Sequence, residues 1–251
     1  MKAKTKNAMR PGVFACTYDS VWSLGQWCAT AMAMKKLGLR SASGPFDWMM
    51  GREMPVRAYV DLLTTEFAGF FLRENMQKVC DSPMEGTEYW KDTKQGLEIR
   101  HDFMLGVPFE ANYVNFHIRM GRRIGRLLKL LRSGGRMLFV HWRGEGLYRR
   151  EEIVADVRRL RTAFPESAID LLVVETENSK AVVSYEEPEP GVVFAVGDFY
   201  DQKRFDPVQG NVKLVREVFR RIHMRGRLKN VFYLRLASLR KRLARFFRRW
   251  K

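Results

Sequence analysis

Cysteine is scarce in this chain, with three residues, Cys16, Cys28 and Cys80, among 251. An odd count excludes full disulfide pairing, and the spacings match no metal-ligand motif. Long hydrophobic runs are absent too. No stretch approaches the roughly 18 apolar residues that a membrane-crossing helix needs. The basic start, Met1-Lys2-Ala3-Lys4-Thr5-Lys6, has no apolar run of signal-peptide length behind it. Reduced thiols in a cytoplasmic compartment follow as the expectation. There is no Pro/Gly/Ser-rich linker and no internal repeat, so one core is expected over residues 1–224. No zinc, calcium or nucleotide fingerprint is present, and no metal or cofactor is expected. Gly121-Arg122-Arg123-Ile124-Gly125 has helix-face spacing, without the preceding strand and Gly-rich turn of a phosphate loop.

Acidic residues are missing from one place in particular. Residues 225–251 hold eleven Lys/Arg and no Asp/Glu, so most of the formal charge of +17 belongs to the tail. Phe232, Leu236, Leu239, Leu243, Phe246 and Trp250 recur there at three- or four-residue intervals, with Arg filling most of the remainder. That pattern predicts a basic amphipathic helix suited to an anionic membrane surface, placing the protein at the inner face of the membrane. Nucleic acid is the rival partner, since it attracts the same charge. A third reading packs the apolar face on the domain and leaves the Arg face in water.

What is present elsewhere alternates between strand-like and helical segments. Val13–Thr17 reads as a first buried strand, Trp27–Leu37 as a helix stopped by Gly38, and Val56–Phe67 as an amphipathic helix. Residues 80–96 are polar and read as an ordered loop, followed by a strand at Leu97–Phe103 that presents His101. Glu110–Leu131, Glu151–Phe164 and Val208–His223 read as helices; Arg136–His141, Ile169–Val174 and Val192–Val196 read as strands. Glu186–Gly191 reads as an acidic loop. The alternation predicts a layered α/β domain with a largely parallel sheet flanked by helices, plus the C-terminal basic helix. In such sheets ligands meet strand ends and helix N-termini, so the turn before the first long helix is the first candidate site.

Cys28 falls at the first turn of that helix, after Ser23-Leu24-Gly25-Gln26-Trp27. Unpaired N–H groups and the helix dipole lower a thiol pKa there and are placed to hold an oxyanion. The competing reading is a small buried hydrophobe. His101 is the natural base for such a thiol. Strand alternation points its neighbour Asp102 to the other face. His117, inside a helix beside Arg119, fits a solvated face, whereas His141, ending a strand, is the second choice of base. Ser23 and Gly25 fit a tight turn that lets a substrate approach, and Phe46 and Trp48 read as core anchors.

Val21-Trp22-Ser23-Leu24-Gly25-Gln26-Trp27-Cys28, Lys36-Leu37-Gly38-Leu39-Arg40, Gly44-Pro45-Phe46-Asp47-Trp48 and His101-Asp102-Phe103 together resemble a bacterial family of unknown function described as papain-like cysteine peptidases. Met137–Val140 fits its later pattern, and the resemblance covers about residues 12–165. It implies a Cys28–His101 pair and, as an alternative fold, a papain-like α+β arrangement. It also implies work on envelope glycans, because such families are associated with surface polysaccharide genes. Asp47 has two roles open to it, orienting His101 or capping the next turn, and the spacing favours the cap. The chain departs from papain-like enzymes in two ways. No Gln stands at their upstream oxyanion position, although Gln26 is near, and the strand–helix alternation differs from their helix-then-barrel order. The expected activity is a cysteine-dependent hydrolase or acyltransferase on an acyl- or peptide-type substrate. The alternatives are a non-catalytic membrane-associated scaffold and a basic nucleic-acid-binding protein.

Overall fold

The computed structural model describes residues 12–25, 28–50, 56–143, 149–199 and 211–232, with 234 and 236. In chain order the elements are α1 (Gly12–Ala15), β1 (Thr17–Tyr18), β2 (Ser20–Ser23), α2 (Cys28–Lys36), β3 (Met49–Met50) and α3 (Val56–Thr64). Then come β4 (Met76–Ser82), β5 (Thr87–Asp92), β6 (Leu97–Met104), α4 (Phe109–Arg132), β7 (Arg136–Arg143) and α5 (Arg150–Ala163). The described chain continues with β8 (Ala168–Thr176), β9 (Ser184–Glu189), β10 (Val192–Gly197), α6 (Val212–Arg220) and β11 (His223–Met224).

The main sheet runs β2-β7-β8-β10-β9. Its first four strands are parallel and β9 is an antiparallel edge. Strands buried on both faces lose the polar–apolar alternation of half-exposed ones, and β7 shows this. Met137 and Phe139 pack into one core with α3, α4 and α5, while Leu138, Val140 and Trp142 pack into a second with α1, α2 and α6. Each such fully buried side chain contributes about 1.5–3 kcal/mol. The sheet is thus flanked by helices on both faces, the layered α/β arrangement expected from the alternation. A second, four-stranded antiparallel sheet, β3-β6-β5-β4, is inserted between α2 and α4 and adds an α+β element.

Three local readings change. Val13–Thr17 is not the first strand: Val13 and Phe14 are buried from the short helix α1, and the first strand of the main sheet is β2. A run of four apolar residues, Val13–Cys16, carries no periodicity that separates the two states. Residues 80–96 are not a loop but contain most of the β4–β5 hairpin. Glu186–Gly191 is largely strand, since β9 ends at Glu189. The carboxylates of β9 face arginines of α5: Glu186 pairs with Arg150, and Glu189 with Arg158 at 2.5 Å and Arg161 at 2.8 Å.

The expected helix of residues 225–251 lies mostly outside the described residues. What is described shows that its beginning belongs to the domain. Arg225 pairs with Asp19 at 2.7 Å, and residues 227–232 are helical. Arg227 Nε donates to the Leu37 carbonyl at 3.0 Å and Asn230 Nδ2 to the Gly38 carbonyl at 3.2 Å. The carbonyls of the turn just past α2 are therefore satisfied by side chains from the start of the tail. A cut at residue 225 removes these caps. Among the described residues no helix is long and apolar enough to cross a membrane.

Candidate active site

β2 ends at Ser23, and the chain turns through Leu24 and Gly25 into α2, whose first residue is Cys28. That turn is held on three sides. Leu24 N–H donates to the Val140 carbonyl at 2.8 Å, and His141 Nδ1 donates to the Leu24 carbonyl at 2.8 Å. Gly25 has φ +70°, and a Cβ there would stand 2.4 Å from the Tyr59 ring. Gly25→Ala is therefore expected to cost about 2 kcal/mol or more, from left-handed strain and overpacking together. Urea unfolding at neutral pH measures it, and a loss under about 0.5 kcal/mol, the scatter of neutral surface changes, would show that the turn yields.

Ser23 is 2% exposed and its hydroxyl has no partner among the described residues. Ser23 and Gly25 thus lie inside the protein, and the space beside Gly25 expected to admit a substrate holds the Tyr59 ring. Gln26 lies outside the described residues. Cys28 itself is half-buried. Burial pushes its thiol pKa up, the N–H groups of Cys28 and Ala29 pull it down, and the net shift is upward. The helix N-terminus acts in the expected direction, but desolvation outweighs it. Among the charges acting on this sulfur are Glu85, which raises the pKa, and Arg100, which lowers it.

Glu85 sits in the turn between β4 and β5. Its Oε2 lies 3.6 Å from His101 Nδ1 and accepts a hydrogen bond from the Tyr89 hydroxyl at 3.0 Å. Glu85 is therefore common to the surroundings of Cys28 and His101. What aims His101 here is an irregularity in pairing. Ile99 pairs with Trp90 and Phe103 with Glu88, so β6 advances four residues where β5 advances two. Such a bulge breaks the alternation and turns a side chain out of its regular direction. His101 is left exposed, while Asp102 is buried and held by Arg119 Nε at 3.2 Å. Trp48 closes the other side of His101, ring edge to ring face at 5.8 Å between centroids.

Asp47 does not reach His101. Its carboxylate accepts from Gly44 N–H at 2.8 Å and pairs with Arg40 at 2.6 Å. This is the turn-capping role, extended by an ion pair, and Arg40 in turn stands 5.6 Å from the centre of the Trp48 ring. Asp47, Arg40 and Trp48 thus form a continuous chain of contacts. Phe46 is a core anchor as expected, fully buried against Tyr59 and Phe67. Trp48 is only partly buried. His117 is not on a solvated face: its Nε2 bonds the Phe71 carbonyl at 3.0 Å. His141 is fully buried, its pKa lowered to about 4 by desolvation, with Nε2 lacking a partner among the described residues.

The sequence pattern of the family described as "Putative papain-like cysteine peptidase (DUF1796)" matches residues 19–171, which span every element of this site. A protein of Acanthamoeba polyphaga mimivirus, described as "Uncharacterized protein R408", is 27% identical over 173 residues. That match covers 64% of this chain and 73% of the viral protein. No solved structure matches the chain.

Proposed function

This chain belongs to that DUF1796 family, and on this premise we propose that it is a cysteine hydrolase whose nucleophile is Cys28 and whose general base is His101. The observation that carries the reading is Glu85, which stands beside His101 Nδ1 and whose charge acts on the Cys28 sulfur. At 3.6 Å, without a hydrogen bond, the Glu85 carboxylate attracts the ring proton toward Nδ1 and so favours Nε2 as the acceptor. Burial holds the Cys28 thiol protonated, so the reaction needs that acceptor. The thiol proton passes to His101 Nε2 as sulfur attacks the substrate carbonyl carbon and forms a C–S bond. The N–H groups of Cys28 and Ala29 stabilise the oxyanion. His101 then gives the proton to the leaving amine or alcohol. Water, deprotonated by the same nitrogen, releases the acid and restores the thiol. Glu85 takes the orienting role that had been open to Asp47 beside the cap.

Iodoacetamide labelling, resolved by mass spectrometry, tests the coupling without a known substrate. The thiol of Cys28 is expected to label at pH 7 at least about tenfold more slowly in His101→Ala, as for a thiol that has lost its base. Exposed Cys80 serves as the internal control and should label at the same rate in both proteins. Equal Cys28 rates in the two proteins would make it a structural thiol and favour the scaffold reading.

A further inference from the structure

Trp48, whose ring meets His101, also lines a hollow of about 450 Å³ together with Lys35, Arg40, Ser41, Asn230 and Leu234 among others. Its described lining has two cations and no carboxylate. Arg40 is a built-in donor rather than a surface side chain. It is 8% exposed, with Nη2 on Asp47 at 2.6 Å and on Ser43 Oγ at 2.6 Å, and Nε on the Ala42 carbonyl at 3.2 Å. Three contacts fix the plane of the guanidinium, and Nη1 is left with two N–H groups that no described residue accepts. The Trp48 indole N–H and the Lys35 ammonium also have no acceptor among the described residues. The C-terminal carbonyls of α2 are engaged by the backbone N–H groups of Leu37, Gly38 and Leu39, and Arg227 and Asn230 hold the Leu37 and Gly38 carbonyls just past it.

A held guanidinium, whose Asp47 partner lies outside the lining, together with an exposed ammonium and an indole around a hollow with no lining carboxylate, matches an oxyanion. We propose that this hollow binds a carboxylate or phosphate group of the substrate, with Lys35 and Arg40 as its charged donors. Trp48 forms the wall between that anchored group and His101. The word substrate rests on the reading of Cys28 and His101 as the reacting pair; the anion site itself does not.

The experiment uses full-length Cys28→Ser protein, which needs no catalysis. The Trp48 indole ¹H–¹⁵N signal is assigned by its loss in Trp48→Phe and followed while inorganic phosphate or acetate replaces sodium chloride at constant ionic strength. A saturable shift with either anion is expected. A response to phosphate alone assigns a phosphoryl group, and a response to acetate alone a carboxylate. Lys35→Ala should weaken binding about tenfold, as for loss of one charge-assisted contact. Lys36→Ala, whose side chain lines a different hollow beside α6, should leave it unchanged. An indole signal that follows chloride equally well, or that responds undiminished in Lys35→Ala, overturns the site. If the indole responds as expected but Cys28 labelling ignores His101, the anion site stands and the catalytic reading falls.

Discussion

Cys28→Ala is expected to lower turnover of any ester or amide substrate by about 1,000-fold or more while leaving the fold intact, as for loss of a nucleophile. The side chain removed is small, half-buried and at a helix end, so circular dichroism and unfolding midpoint should change little. His101→Ala should cost a similar factor, and the double variant should be no worse than the worse single one, because a nucleophile and its base act as a unit. Glu85→Gln should lower kcat by about 10- to 100-fold with KM nearly unchanged, since an orienting carboxylate contributes to the transition state. Glu85→Asp should recover part of that loss. A Cys28→Ala protein that keeps more than about a tenth of wild-type turnover, a loss worth under 1.4 kcal/mol, would remove Cys28 from the mechanism.

The second large effect is on stability and comes from His141. Its folded pKa is about 4 against an ordinary 6.5 because the imidazole is fully buried. Between these values the unfolded chain takes up a proton and the folded chain does not. Stability from this group is therefore complete above pH 6.5, declines as pH falls toward 4, and levels off below. The difference amounts to about 3 kcal/mol. Urea unfolding at pH 7 and at pH 4 should show that decline in the wild type. In His141→Gln, which keeps a donor for the Leu24 carbonyl and does not titrate, the decline should shrink by about the same amount. The two proteins losing stability in parallel would assign the acid sensitivity to other groups.

The parallel sheet was legible because its strands are buried on both faces and its helices are long. Ile169–Val174 and Glu151–Phe164 each announce one state by composition and period, and the structure lengthens the strand to Ala168–Thr176 and shifts the helix by one residue, to Arg150–Ala163. The β4–β5 hairpin was not legible. β4 is exposed along most of its length, so it has no apolar alternation to read, and its Asp, Ser, Pro and Gly residues imitate a loop. The same holds for β9, where charge pairing with α5 replaces burial. At the site, Cys28 could be placed by its turn and helix, since both signals are local. Glu85 could not, because it lies in a polar turn 57 residues further along the chain and reaches His101 through strand pairing. Nor does any local pattern announce the bulge that turns His101 outward, as it depends on how β5 and β6 match.

α2 has only nine residues, a rod about 13 Å long at 1.5 Å per residue. One end carries the sulfur, and the turn just past the other, Leu37 and Gly38, is held by Arg227 and Asn230 at the root of the basic tail. A hydrogen-bonded helix of this length transmits displacement with little bending. The described root of the tail and Cys28 therefore stand at opposite ends of one short helix, and Asn230 lines the hollow beside Trp48 as well.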